Sequence, residues 1–87
     1  MSAFKVKLSN NAENQVTELP VNIRSRVLAA LVVIQHNPTL GLKLRGELEG
    51  SRRYRVGNYR IVYHLNNADK IIFIENILHR GRAYRRL

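Results

Sequence analysis

Five arginines and one tyrosine are the residues of this chain whose type and spacing suit chemistry on a phosphate. Arg53 and Arg55 precede the dipeptide Gly57-Asn58, Arg60 follows it, and Arg80, Arg82 and Tyr84 crowd the C-terminal end. A guanidinium presents a planar fork that matches two phosphate oxygens. It is a poor proton carrier, because a pKa above ~12 leaves almost none of it deprotonated. Proton transfer would fall to other groups. His79, beside Arg80, has an imidazole that titrates near neutrality. Tyr84 could stack on a base, orient a hydroxyl, or release its proton if neighbouring arginines lower an ordinary pKa of ~10. His64 and His36 read as structural: one follows an aromatic strand and the other closes a helix, where a cation is favoured.

The charge balance points the same way. Fifteen Lys and Arg stand against six Asp and Glu in 87 residues, a net charge of +9, and eleven of the fifteen are arginine. Residues 1–44 hold five bases and two acids, whereas residues 45–87 hold ten and four. Such a surplus implies a polyanionic partner, with Lys5, Lys7, Arg24 and Arg26 supplying general attraction. Other chemistries lack their residues. There is no cysteine, hence no disulfide or thiolate, and three scattered histidines argue against a zinc site. The acids are scattered too; Glu47 and Glu49 lie two apart in a loop and make no paired-carboxylate or two-metal centre. No phosphate-binding glycine loop and no Gly-x-Ser-x-Gly occurs. The reading is a metal-free protein with no cofactor.

At this length the expectation is one domain over residues 1–87, and 45% hydrophobic residues are enough for a core. The longest apolar run, Val27 to Ile34, is far below the ~20 residues that span a bilayer. The N-terminus alternates where a secretion signal would be continuously apolar, so a cytoplasmic protein is expected, with no membrane partner.

The elements that must hold these side chains follow from periodicity. Phe4, Val6 and Leu8 alternate with Lys5 and Lys7, the pattern of a half-buried strand. Ser9-Asn10-Asn11 supplies N-cap candidates, with Glu13 three after Asn10 as a capping-box partner. Ala12, Val16 and Leu19 then predict a short amphipathic helix ending at Pro20. A second helix follows, with Ile23, Val27, Ala30, Leu31 and Ile34 on one face and Asn37-Pro38 as its stop. Thr39 to Ser51 reads as a loop with a turn of helix near Leu42 to Leu44. Arg53 to Val56 and Tyr59 to Leu65 flank Gly57-Asn58 as a hairpin with a type II′ turn. After the turn at Asn66-Asn67-Ala68-Asp69, Ile71 to Leu78 is apolar enough for a central strand. The predicted class is α+β, in the order β-α-α-β-β-β: a helical hairpin on a small, largely antiparallel twisted sheet, with a basic C-terminal tail.

That order, the hairpin Tyr54-Arg55-Val56-Gly57-Asn58-Tyr59-Arg60-Ile61-Val62-Tyr63, the Lys43-Leu44-Arg45-Gly46 segment and the terminal His79-Arg80-Gly81-Arg82-Ala83-Tyr84 together resemble the RelE/ParE toxin superfamily over essentially the whole chain. The hairpin marks the superfamily, since gyrase-poisoning ParE relatives carry a similar one. Arg-x-Arg-x-Tyr after the last strand resembles the RelE branch. That resemblance implies a ribosome-dependent mRNA endonuclease, the toxin of a type II toxin–antitoxin pair, with Arg60, Arg80 and Tyr84 as catalytic residues. Arg53, Arg55, Arg82 and Arg45 would bind RNA, and His79 is a possible acid or base. It also implies a cognate RelB-like antitoxin, the ribosome and mRNA as partners, and operator DNA only through the antitoxin complex. A gyrase inhibitor of the ParE kind, or a non-catalytic basic RNA-binding module, are the alternatives. Without a metal, such cleavage uses the RNA's own 2′-hydroxyl as nucleophile and needs in-line geometry, a cationic cradle for the phosphorane and two proton transfers.

Overall fold

The alternation of Lys5, Val6, Lys7 and Leu8 produces a strand, β1 (Lys5–Leu8), that turns Val6 and Leu8 toward the core and leaves the lysines exposed. The computed structural model describes residues 4–79; the expectations for Arg80, Arg82 and Tyr84 lie outside the described residues. After β1 come α1 (Asn10–Glu18), α2 (Val21–His36), β2 (Leu42–Lys43), a single 3-10 turn (Gly46–Leu48), β3 (Ser51–Val56), β4 (Tyr59–Asn66) and β5 (Ile71–His79). The five strands form one sheet in the order β1-β5-β4-β3-β2, with β1 parallel to β5 and the other pairs antiparallel. The α+β class and the helical layer on a mostly antiparallel sheet are as predicted.

Both helices lay their apolar stripes on the same face of this sheet. Ala12, Val16 and Leu19 from the first, and Val27, Ala30, Leu31 and Ile34 from the second, close over Val56, Ile61, Tyr63, Ile72, Ile74 and Ile77. Each Val, Leu or Ile side chain removed from water stabilises the fold by about 1.5–3 kcal/mol. The N-cap of α1 is Ser9, the first of the three candidates: its Oγ accepts from the Ala12 N–H at 3.0 Å, so the third helical position is Ala12 and Glu13 cannot complete the capping box expected with Asn10. Arg24 closes the other end of α1, its guanidinium donating to the carbonyls of Val16, Thr17 and Leu19 at 3.1–3.2 Å. A residue that composition assigned to general attraction is a C-terminal cap.

Two further differences from the sequence reading have local causes. The segment Leu42 to Leu44 was expected as a helical turn, but Leu42 and Lys43 pair with Arg53 and Arg52 as an edge strand, and Leu44 N–H donates to Ser51 O at 2.9 Å. The helical turn lies further on, at Gly46–Leu48, and opens on Gly46 with φ +72°. The strand β5 is central as predicted, yet it carries a bulge: Tyr63 pairs with Ile74 and Val62 with Asn76, so Glu75 has no register partner on β4. The extra residue flips the alternation, which lets Ile77 join Ile72 and Ile74 in the core. Two α1-side groups hold the bulge, Ser9 Oγ donating to Glu75 O at 2.7 Å and Ile77 N–H donating to Gln15 Oε1 at 2.7 Å. Among the described residues, no helix is long and apolar enough to cross a membrane.

Candidate nucleic-acid interface

Because side chains alternate along a strand, the face away from the helices collects a different set of residues. On β3 these are Ser51, Arg53 and Arg55, and their register partners on β4 are His64, Val62 and Arg60. Val56 and Tyr54, the alternate positions, pack with the core. The tight turn that brings the arginines together depends on Gly57, whose φ of +57° suits the first central position of a type II′ turn. Arg55 Nε donates to Gly57 O at 3.2 Å, anchoring that side chain at the hairpin tip.

The consequence is a cluster of cations held by backbone pairing. Arg55 lies directly opposite Arg60, and Arg53 is one pleat away. All three line a concavity of about 320 Å³ together with Leu40, Leu42 and Tyr54. Arg60 is the buried member, 7% exposed, whereas Arg55 stands at the exposed rim. Like charges directly opposite one another across a strand pair are destabilising. An anion between them relieves that repulsion, and two guanidinium forks suit the oxygens of a phosphodiester.

Of the remaining expected site residues, the two that the structure describes, Arg45 and His79, are not in this cluster. Arg45 lines a separate hollow of about 680 Å³ with Lys43, Glu49 and Arg52, where β2 runs into the 3-10 turn. His79 is the register partner of Tyr59 and turns to the helix side of the sheet, its ring meeting that of Tyr59 edge-on at 5.0 Å. It faces Gln15, Glu18 and Leu19 there, with the sheet between it and the three arginines. His36 behaves as its place in the last helical turn suggests, with Nδ1 2.9 Å from Val32 O. Among the described residues, no three metal-ligating side chains converge.

Some residues of the interface escaped the sequence reading. Lys5 and Lys7 are register partners of Ile71 and Phe73, so they share the arginine face at the far edge of the sheet. Their alternation with Val6 and Leu8 was visible; what hid their role was the parallel β1–β5 pairing, which joins residues more than sixty positions apart. The wall formed by Leu40 and Leu42 depends on Tyr63, fully buried, whose hydroxyl donates to Pro38 O at 2.8 Å and accepts from Gly41 N–H at 2.9 Å. Arg52 adds to this anchorage, Nη1 donating to Thr39 O and Gly41 O at 3.1 and 2.8 Å.

A family model described as the ParE toxin of the type II toxin–antitoxin system parDE matches residues 6–84. The chain belongs to the RelE/ParE toxin superfamily. Toxin RelG of Mycobacterium tuberculosis (strain ATCC 25618 / H37Rv) is 30% identical to it over 89 residues, covering 95% of this chain and 98% of the relative. Among solved structures, a chain of the RelBE2 toxin–antitoxin complex from Mycobacterium tuberculosis superposes with a TM-score of 0.82 at 27% identity, covering 91% of this chain and 100% of the other. A chain of the archaeal RelE–RelB complex from Pyrococcus horikoshii OT3 does so at 0.75 and 27%, covering 93% and 99%. As a type II toxin of this superfamily, the protein carries its arginine hairpin on a fold that these relatives share.

Proposed function

We propose that this toxin is a metal-independent, ribosome-dependent endoribonuclease that cleaves messenger RNA in the decoding site, and that a cognate RelB-like antitoxin silences it. The observation that carries the reading is the placement of Arg55 opposite Arg60 with Arg53 alongside, in one concavity. In the reaction the 2′-hydroxyl of one nucleotide attacks the adjacent phosphorus and its proton passes to an acceptor. The bond from phosphorus to the 5′-oxygen then breaks, and that oxygen takes up a proton. The products are a 2′,3′-cyclic phosphate and a 5′-hydroxyl. Arg60, fixed at the floor, stabilises the charge that grows on the phosphorane, while Arg53 and Arg55 hold the backbone in line. Arg80 and Tyr84 are assigned to the same step, Arg80 as a second cation and Tyr84 as a group that orients or deprotonates the hydroxyl. Arg82 and Arg45 add backbone contacts. A site built mainly from cations fits an enzyme that takes its positioning from the ribosome.

Charge complementarity also supports the antitoxin: an acidic or amphipathic segment that covers the basic face would exclude RNA, and operator DNA would be reached only through that complex. The family model's description favours a second reading, inhibition of gyrase without RNA cleavage. A translating extract separates the two. Wild type is expected to leave 5′-hydroxyl ends on ribosome-bound message, and Arg60→Ala to do so ~10²–10³-fold more slowly, the usual loss when one oxyanion-stabilising donor is removed. Arg80→Ala and Tyr84→Ala should fall with it. DNA breaks with intact message would establish the gyrase reading instead.

A further inference from the structure

The outer face carries a second cluster, which the cleavage chemistry does not use. His64 and Phe73 pair across β4 and β5 with ring centroids 5.2 Å apart and planes tilted by 41°. The bulge turns Glu75 toward this face, where Oε2 lies 2.7 Å from His64 Nδ1 and accepts from Ser51 Oγ at 2.7 Å. Engaged through Nδ1, the imidazole has a fixed plane, and its side chain remains 44% exposed. Cations flank the pair on both sides. Lys7 is the register partner of Phe73, and Arg53 is the diagonal neighbour of His64 across β3 and β4, at about 7–8 Å.

We propose that His64 and Phe73 form a seat for one unpaired nucleobase of the RNA strand whose backbone crosses Arg53, Arg55 and Arg60, with Glu75 as the residue that positions the imidazole. The inference rests on RNA being the substrate, as argued above. Bases of single-stranded RNA stack on aromatic rings while cations track the backbone, and this surface offers that alternation. The carboxylate decides which part of the nucleotide sits here: a phosphate beside Glu75 is repelled, whereas a neutral base is not. His64 lies four positions along β4 from Arg60, about 13 Å. That places the seat about two nucleotides from the cut, and gives the toxin a preference at that position set by its own side chains.

The test maps cleavage ends in a translating extract for wild type, His64→Ala, His64→Tyr and Glu75→Gln, each first checked for a native melting transition. In His64→Ala the ratio of cutting between favoured and disfavoured bases, at one fixed position about two nucleotides from the cut, is expected to fall about two- to threefold, since stacking strength differs only modestly between bases. Restoring a ring with His64→Tyr should recover most of it, and Glu75→Gln should give an intermediate ratio. An unchanged ratio in His64→Ala overturns the seat, as does a uniform loss of cutting at every site in a folded variant. So does an altered capture of the antitoxin with the RNA pattern intact. If wild type cuts no message at all, the substrate reading fails, and the seat fails with it.

Discussion

Tyr63 links stability to the shape of the site through a single oxygen. Its hydroxyl satisfies Gly41 N–H and Pro38 O inside the core, so Tyr63→Phe leaves one backbone donor and one acceptor without partners, at a cost of about 1–3 kcal/mol. The phenol also titrates differently in the two states. Burial pushes it above its ordinary value of 10.0, opposed by the Gly41 hydrogen bond and the Arg52 charge, while Tyr54 adds to the rise. A folded pKa above the unfolded one means that the unfolded chain loses its proton first as pH rises. The contribution of Tyr63 is therefore complete below pH 10 and declines as pH climbs through the raised value. Urea midpoints measured between pH 8 and pH 11 should fall more steeply for wild type than for Tyr63→Phe. Parallel curves would remove Tyr63 as the cause, since every other tyrosine and lysine is common to both proteins.

At the scale of elements, the link from α2 to β2 matters more than its length suggests, because it supplies the Leu40 and Leu42 wall of the arginine concavity. Gly41 is its tightest point: a Cβ there would lie 2.6 Å from Tyr63 Oη and 2.8 Å from Arg53 O. Gly41→Ala must move either the tyrosine or the β3 backbone, and overpacking of this kind costs about 1–3 kcal/mol. The two partners touch, so Gly41→Ala and Tyr63→Phe should be non-additive in chemical denaturation, the double variant losing less than the sum. Additive losses would mean that the alanine is accommodated elsewhere. None of this was legible in the sequence, where Gly41 was one of several glycines in a loop. Local signals located the rest: Val27, Ala30, Leu31 and Ile34 marked the buried stripe of α2, and Gly57-Asn58 marked the hairpin that sets Arg55 against Arg60. What escaped was set by distant pairing. The bulge at Glu75 answers to Ser9 and Gln15 on another element, and Leu42 is a strand only because Arg53 pairs with it. His79, read in the sequence as a possible acid or base, is sent by strand parity to the helix side of the sheet, away from Arg53, Arg55 and Arg60.

For the whole molecule, the sheet sorts a net charge of +9 into parts with different roles. Arg24 caps a helix, and Arg26 lies on the helix that covers the other side of the sheet, its Nη2 3.3 Å from where a Cβ on Gly57 would stand. Lys5, Lys7, Arg53, Arg55 and Arg60 share the outer face. Among the described residues that face lines up five cations on one surface, and each phosphate neutralised on single-stranded nucleic acid contributes about −0.7 to the slope of log affinity against log salt. Binding of a short unstructured RNA, followed by fluorescence anisotropy at several salt concentrations, should therefore lose about 1.4 from the magnitude of its slope in the double variant Arg53→Gln, Arg55→Gln. The pair Lys5→Gln, Lys7→Gln should lose a similar amount if the strand continues across the sheet to β1, as the base seat at His64 and Phe73 requires. Arg26→Gln removes one charge, half of what either pair removes, from the helix side and should leave the slope in place. A slope that drops in proportion to the charge removed in all three would show that the protein attracts RNA as a uniformly charged body, and would remove the outer face from its privileged position.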